Sequence, residues 1–156
     1  MDRDLEGGYA MILFIMILLI SLITMKCIRL YHEHPMTYEQ LLRKGLVMEL
    51  LFMENRAVDV YERGLRELDL TVDEENNVHY LVGMIQQKYH KQSKQAVAHF
   101  EEVFKKEPEY LAYRKEYQHI LDAYESSNRE ELPHIAKMLK KQSQHDHRFL
   151  KLKYPE

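Results

Sequence analysis

Three observations predict an all-α chain in which one membrane-spanning helix near the start is followed by stacked helical hairpins. Tyr9 to Met25 is an unbroken run of seventeen residues without a charge, mostly Ile, Leu, Met and Phe. From Thr37 onward the apolar residues recur at three- and four-residue spacings and do not alternate, which is the pattern of helices with one buried face. A recurrence at 39 residues then groups those helices in pairs.

The first element is the apolar run. Crossing a ~30 Å hydrocarbon layer takes about 20 apolar residues, with a working range of roughly 17 to 25. Tyr9 to Ile28 meets this if Cys27 and Ile28 extend the run while Lys26 snorkels. A cleaved secretory signal would want a basic start and a small-residue cleavage site. Here Asp2, Asp4 and Glu6 stand against Arg3 alone, and no such site follows. A lipoprotein signal is opposed by Lys26 directly before Cys27. Basic residues prefer the cytoplasmic side, so Lys26 and Arg29 predict a single-pass orientation, with residues 1–8 outside and the C-terminal domain cytosolic. One cysteine offers no intramolecular disulfide, which suits a reducing compartment. Its place at the bilayer edge permits S-palmitoylation, although a small apolar residue there needs no such role.

Residues 29–36 form a short juxtamembrane linker, and 37–142 is long enough for one helical domain. Leu41, Gly45, Met48 and Phe52 mark the buried stripe of the first domain helix, with Leu42, Leu46 and Leu50 beside it. Ala57, Tyr61, Gly64, Leu65 and Leu68 mark the second, and Val78, Leu81, Val82, Ile85 and Tyr89 the third. Ala96, Val97, Phe100, Val103 and Phe104 mark the fourth. Tyr110, Tyr113, Tyr117, Ile120, Leu121 and Tyr124 form a fifth, and Ile135, Ala136 and Leu139 a shorter sixth. Thr37 with Gln40, Thr71 with Glu74, and Ser127 with Glu130 have capping-box spacing, while Asn55 and Ser93 stand at the starts of the second and fourth helices. Pro133 conflicts with a start at Ser127 and places the sixth helix near Leu132, with the proline in its first turn.

Ala57, Tyr61 and Asp69 recur as Ala96, Phe100 and Pro108. A small residue followed four positions on by an aromatic lets two helices approach and then fills the gap. With Gly45 twelve residues before Ala57, this resembles the tetratricopeptide repeat family. The resemblance covers Thr37 to Pro108 and implies helical hairpins whose first helices line a protein-binding face. The chain departs from that family in its longer period, in having no tryptophan, and in Asp69 where the first copy would close on Pro. The extra length falls in the acidic connector Asp69 to Asn77, and Glu109 to Gln142 matches only as a helix pair.

What the resemblance implies about binding rests on exposed first-helix residues, for which Arg43, Lys44, Gln86 and Gln87 are the candidates. The family's carboxylate clamp is not carried over, because the first hairpin offers Arg43 and Lys44 without an Asn. Tyr110, Tyr113, Tyr117 and Tyr124 are read as a core-facing stripe, with an exposed partner surface as the alternative. His32 with His34 and His145 with His147 lack the further ligands that a zinc site needs. The chain carries no phosphate loop, nucleophile elbow or His-Glu-x-x-His motif, so no catalytic residue, cofactor or metal is assigned. Glu101 and Glu102 are read as surface charge balanced by Lys105 and Lys106. The basic segment 143–156, with Lys137 to Lys141 before it, is read as a cap that folds Phe149 and Leu152 over the last hairpin. Contact with an anionic leaflet or nucleic acid is the lesser alternative for it.

The net charge of -3 selects no partner class. The sequence therefore predicts a membrane-anchored adaptor, not an enzyme, that holds a protein or peptide at the cytosolic face of the bilayer. A small membrane-associated enzyme, or a non-catalytic subunit of one, is the alternative, and a nucleic-acid partner is disfavoured.

Overall fold

The computed structural model describes residues 2–105, 108–127 and 130–155, without the side chains of 2–10, 27 and 30–32. The Tyr9 end of the expected span, the Cys27 thiol, the His32 ring and Lys106 thus lie outside the described residues. Among the described residues every regular element is a helix, and the chain divides into two units between Pro35 and Met36.

The first unit holds one helix, α1 (Asp2–His32). Here the membrane expectation is corrected: among the described residues no helix is long and apolar enough to cross a membrane. The single-pass transmembrane assignment, the bilayer as partner through Tyr9 to Ile28, and the outside and cytosolic placement of the two ends all rested on that span. None is retained.

The second unit contains three helix pairs. They are α2 (Tyr38–Leu50) with α3 (Glu54–Glu67), α4 (Val72–Lys88) with α5 (Ser93–Phe104), and α6 (Tyr117–Ser126) with α7 (Leu132–Lys141). Leu41, Met48, Ala57, Tyr61, Val78, Val82 and Ile85 form one core between α2, α3 and α4. A second core joins α4 to α7 through Ala96, Phe100, Ile120, Tyr124 and Leu139.

The first two hairpins share one packing device. A methyl group at Gly45 would land inside the Tyr61 ring, and one at Gly83 would land against Phe100. Each first helix gives up a side chain so that the aromatic of the second can lie on its backbone, and Ala57 and Ala96 are fully buried one turn before those rings. Gly64 similarly receives Leu41. The spacing that paired Ala57 with Ala96 thus reports a repeated helix–helix contact.

Caps fix the starts. The Thr71 and Glu74 side chains satisfy each other's backbone N–H groups, closing the capping box of α4. Thr37 accepts from the Gln40 N–H, while the Gln40 carboxamide takes the N–H of Met36. Ser127 differs from expectation: it ends α6, its hydroxyl donating to the Ala123 carbonyl. The helix α7 starts at Leu132 with Pro133 in its first turn, as the proline required. The acidic connector is also corrected. Val72 to Asn77 belong to α4, where Asp73, Glu74 and Glu75 face the exposed N–H groups of its first turn, so the extra residues lengthen a helix.

The fifth stripe is helical only from Tyr117. Residues 108–116 run irregularly, because the buried Gln142 side chain takes over their backbone hydrogen bonds. Its Oε1 accepts from the Leu111 N–H at 3.0 Å, and its Nε2 donates to the carbonyls of Pro108 and Glu109 at 3.2 and 3.5 Å. Tyr110 is consequently exposed and off any helix, while Tyr117 and Tyr124 are core residues. The tail caps the last pair: Phe149 and Leu152 are buried, the Tyr154 hydroxyl donates to the Phe149 carbonyl, and Gln118 exchanges two hydrogen bonds with the Lys153 backbone.

Phe52 carries the least expected backbone. It has φ of 57° and follows the C-cap Leu51, and its N–H donates to the Glu49 carbonyl while the Met53 N–H donates to Met48. This is the helix stop in which glycine is favoured, since a side chain there crowds the carbonyl. At low protein concentration Phe52→Gly is expected to raise stability by about 1 kcal/mol, readable as a higher urea midpoint at unchanged slope.

Candidate functional site

The strongest candidate site is a cleft of about 260 Å³ formed by α2, α4 and the irregular segment before α6. Tyr80, Leu81, Met84 and Ile85 of α4 give it an apolar floor, and Glu49, Lys88, Tyr89, Arg114 and Glu116 form the rim. Tyr80, Met84 and Lys88 recur every four residues and so share a face, beside the stripe of Val78, Val82 and Ile85 that α4 gives to the core. A second hollow of about 180 Å³ shares Tyr80 and Arg114 and continues toward Asn76, Asn77 and Leu111. The Asn77 amide donates to the Tyr38 hydroxyl at 2.7 Å, tying the starts of α4 and α2 together beneath it.

The electrostatics keep both signs at the rim. Burial pushes the Glu49 carboxyl up, while the hydrogen bond from Tyr61 and the charge of Lys88 pull it back. The Tyr61 hydroxyl, which donates to Glu49 at 3.1 Å, is itself held above the ordinary phenol range by burial and by that carboxylate. The Arg114 guanidinium lies 5.1 Å from the Tyr80 ring centre and the Lys88 ammonium 4.9 Å from that of Tyr89. Burial pushes the Tyr117 phenol, edge-on to Tyr80 at 6.3 Å, up to about 12. An apolar floor inside a rim of mixed charge suits a chain segment that inserts an apolar anchor and flanks it with polar groups.

Of the four residues named from sequence, none lines this cleft. Arg43 is exposed on α2, as expected. Lys44 is not: its side chain is buried in the first hairpin with its charge engaged. Gln86 is also buried, on the face of α4 that carries Val82 and Gly83, and Gln87 is half-buried. The Oε1 atoms of both glutamines accept no hydrogen bond from the protein. Gln86 faces into the fold, whereas Tyr80, Met84 and Lys88 lie on the adjacent face of α4, buried at Tyr80, half-buried at Met84 and exposed at Lys88. Arg114 and Glu116 were beyond the first-helix rule, since they belong to a segment that the tyrosine spacing assigned to a helix.

A histidine pair links α4 to α5 away from the cleft. The Nδ1 atoms of His79 and His99 are 2.9 Å apart, so one ring donates to the other. Burial holds both below the ordinary imidazole range, His99 down to about 4, with the His79 charge adding to the effect on His99. Both rings are neutral in the fold and gain protons on unfolding below about pH 6.5. Stability therefore holds above that pH and declines as pH falls, with His99 contributing about 1–2 kcal/mol down to about pH 4 after allowance for solvent screening and His79 acting in the same direction. The difference in melting temperature between pH 7 and pH 4.5 should shrink in the His79→Gln, His99→Gln double variant. Among the described residues no group of three or more His, Cys, Asp or Glu side chains is placed to hold a metal ion.

A scan against protein-family models finds no match for this chain, and neither curated proteins nor solved structures give one.

Proposed function

We propose that the region from Thr37 to Gln142 is a helical-hairpin module of the tetratricopeptide-like kind that binds a segment of another protein, without catalysis. The observation that carries this reading is the cleft itself. Its floor is built by α4, the first helix of its hairpin, and first helices are the elements that stacked hairpins turn toward extended or helical ligands. The repeated Gly45–Tyr61 and Gly83–Phe100 contacts support the hairpin reading, because they stack like elements in like ways. The mixed-charge rim supports a polypeptide ligand over a polyanion.

The test places a photo-crosslinking amino acid at Met84 in the full chain, expressed in its own cells, with Asn55 on the outer hairpin as control. A discrete protein adduct at position 84, absent at 55 and lost on Arg114→Glu at unchanged melting temperature, is expected. Adducts of equal yield at both positions would defeat the cleft as the site. A thermal shift produced by a nucleotide or other small cofactor, with no adduct at 84, would favour a hidden enzyme.

A further inference from the structure

The helix α2 carries two apolar stripes, and its fold buries only one. Leu41, Gly45 and Met48 face the core, whereas Leu46 and Leu50 are 55% and 68% exposed and Leu42 is half-buried. Spaced by four, Leu42, Leu46 and Leu50 form one ridge, which starts against the core at Leu42 and turns away from it toward Leu50. Phe52, two residues past Leu50, is 85% exposed at the end of the same helix. Phe52 sits at a backbone position that glycine fills at lower cost, so a large ring is kept there against conformational preference. Terminal hairpins of a stack ordinarily turn a polar face outward.

We propose that this ridge is the interface between two copies of the chain, paired antiparallel through α2 with Leu46 on the two-fold axis. The ridge is symmetric about Leu46, with a leucine four residues to either side, so an antiparallel partner sets Leu42 against the partner's Leu50. The same register brings Arg43 of one protomer level with Glu49 of the other, since they lie three residues before and after Leu46. The size also fits. Leu42, Leu46, Leu50 and Phe52 expose on the order of 400 Å² of apolar surface, which at the ~60% apolar share of an interface implies roughly 650 Å² per partner, inside the ~600–1,000 Å² range of specific interfaces. This pairing shares Glu49 with the rim of the α4 cleft, but its disulfide test does not depend on the ligand proposed there.

Disulfide mapping in the full chain tests the register and not merely association. In a Cys27→Ser background, Leu46→Cys is expected to form an intermolecular disulfide on mild oxidation. Leu42→Cys alone and Leu50→Cys alone should not, because each lies about 12 Å along the axis from its own mate. Mixing the Leu42→Cys and Leu50→Cys chains should restore the link, and Phe52→Gly or Leu50→Glu should reduce the yield several-fold in the Leu46→Cys chain. Absence of the 46–46 link at high protein concentration, or self-linking at 42 equal to that at 46, would overturn the proposal.

Discussion

Phe100→Ala is expected to lower the stability of the 36–156 unit by about 3–5 kcal/mol, the range for deleting a fully buried ring. The ring fills the space that Gly83 leaves open and belongs to the core joining α4 to α7, so its loss leaves a cavity between helices as well as removing transfer free energy. The reciprocal change, Gly83→Leu, overpacks the same contact and should cost about 1–3 kcal/mol or more. If the two are combined, the penalties should fall short of additive, because the new leucine enters the cavity that alanine leaves. Urea unfolding of the four proteins measures this coupling. Strict additivity would mean that Gly83 and Phe100 do not share one space.

Gln142→Ala should cost about 2–4 kcal/mol, since it strands the Leu111 N–H and the Pro108 and Glu109 carbonyls together. Its effect reaches the cleft wall: Arg114 and Glu116 sit on the segment that Gln142 holds in place. Amide exchange in residues 109–116 should accelerate in this variant more than in α2 or α3. Equal acceleration throughout the unit would show global destabilisation and not a local clamp.

What the sequence disclosed follows from which forces are local. Thr71 with Glu74, Pro133 near Leu132, and Ala57 with Tyr61 act over a few residues, so spacing alone located α4, α7 and the first hairpin's contact. Gln142 acts over more than thirty residues, and a tyrosine ladder that reads as one helix is divided by it at Tyr117. Lys44 and Gln86 look like surface residues by type, yet helical phase puts both beside core positions. The apolar run misled in another way. Its composition suggested a bilayer span, whereas among the described residues no helix is long and apolar enough to cross a membrane. The leucine ridge of α2 was visible as Leu42, Leu46 and Leu50, but only exposure separates it from the stripe that the core takes.

The most direct measurement of the binding reading is hydrogen exchange on the full chain with and without the protein captured through position 84. Protection is expected along Tyr80 to Lys88 and in residues 109–116, with the outer helices α3 and α5 unchanged. Protection confined to α3, α5 or α7, with α4 exchanging as in the free protein, would contradict it.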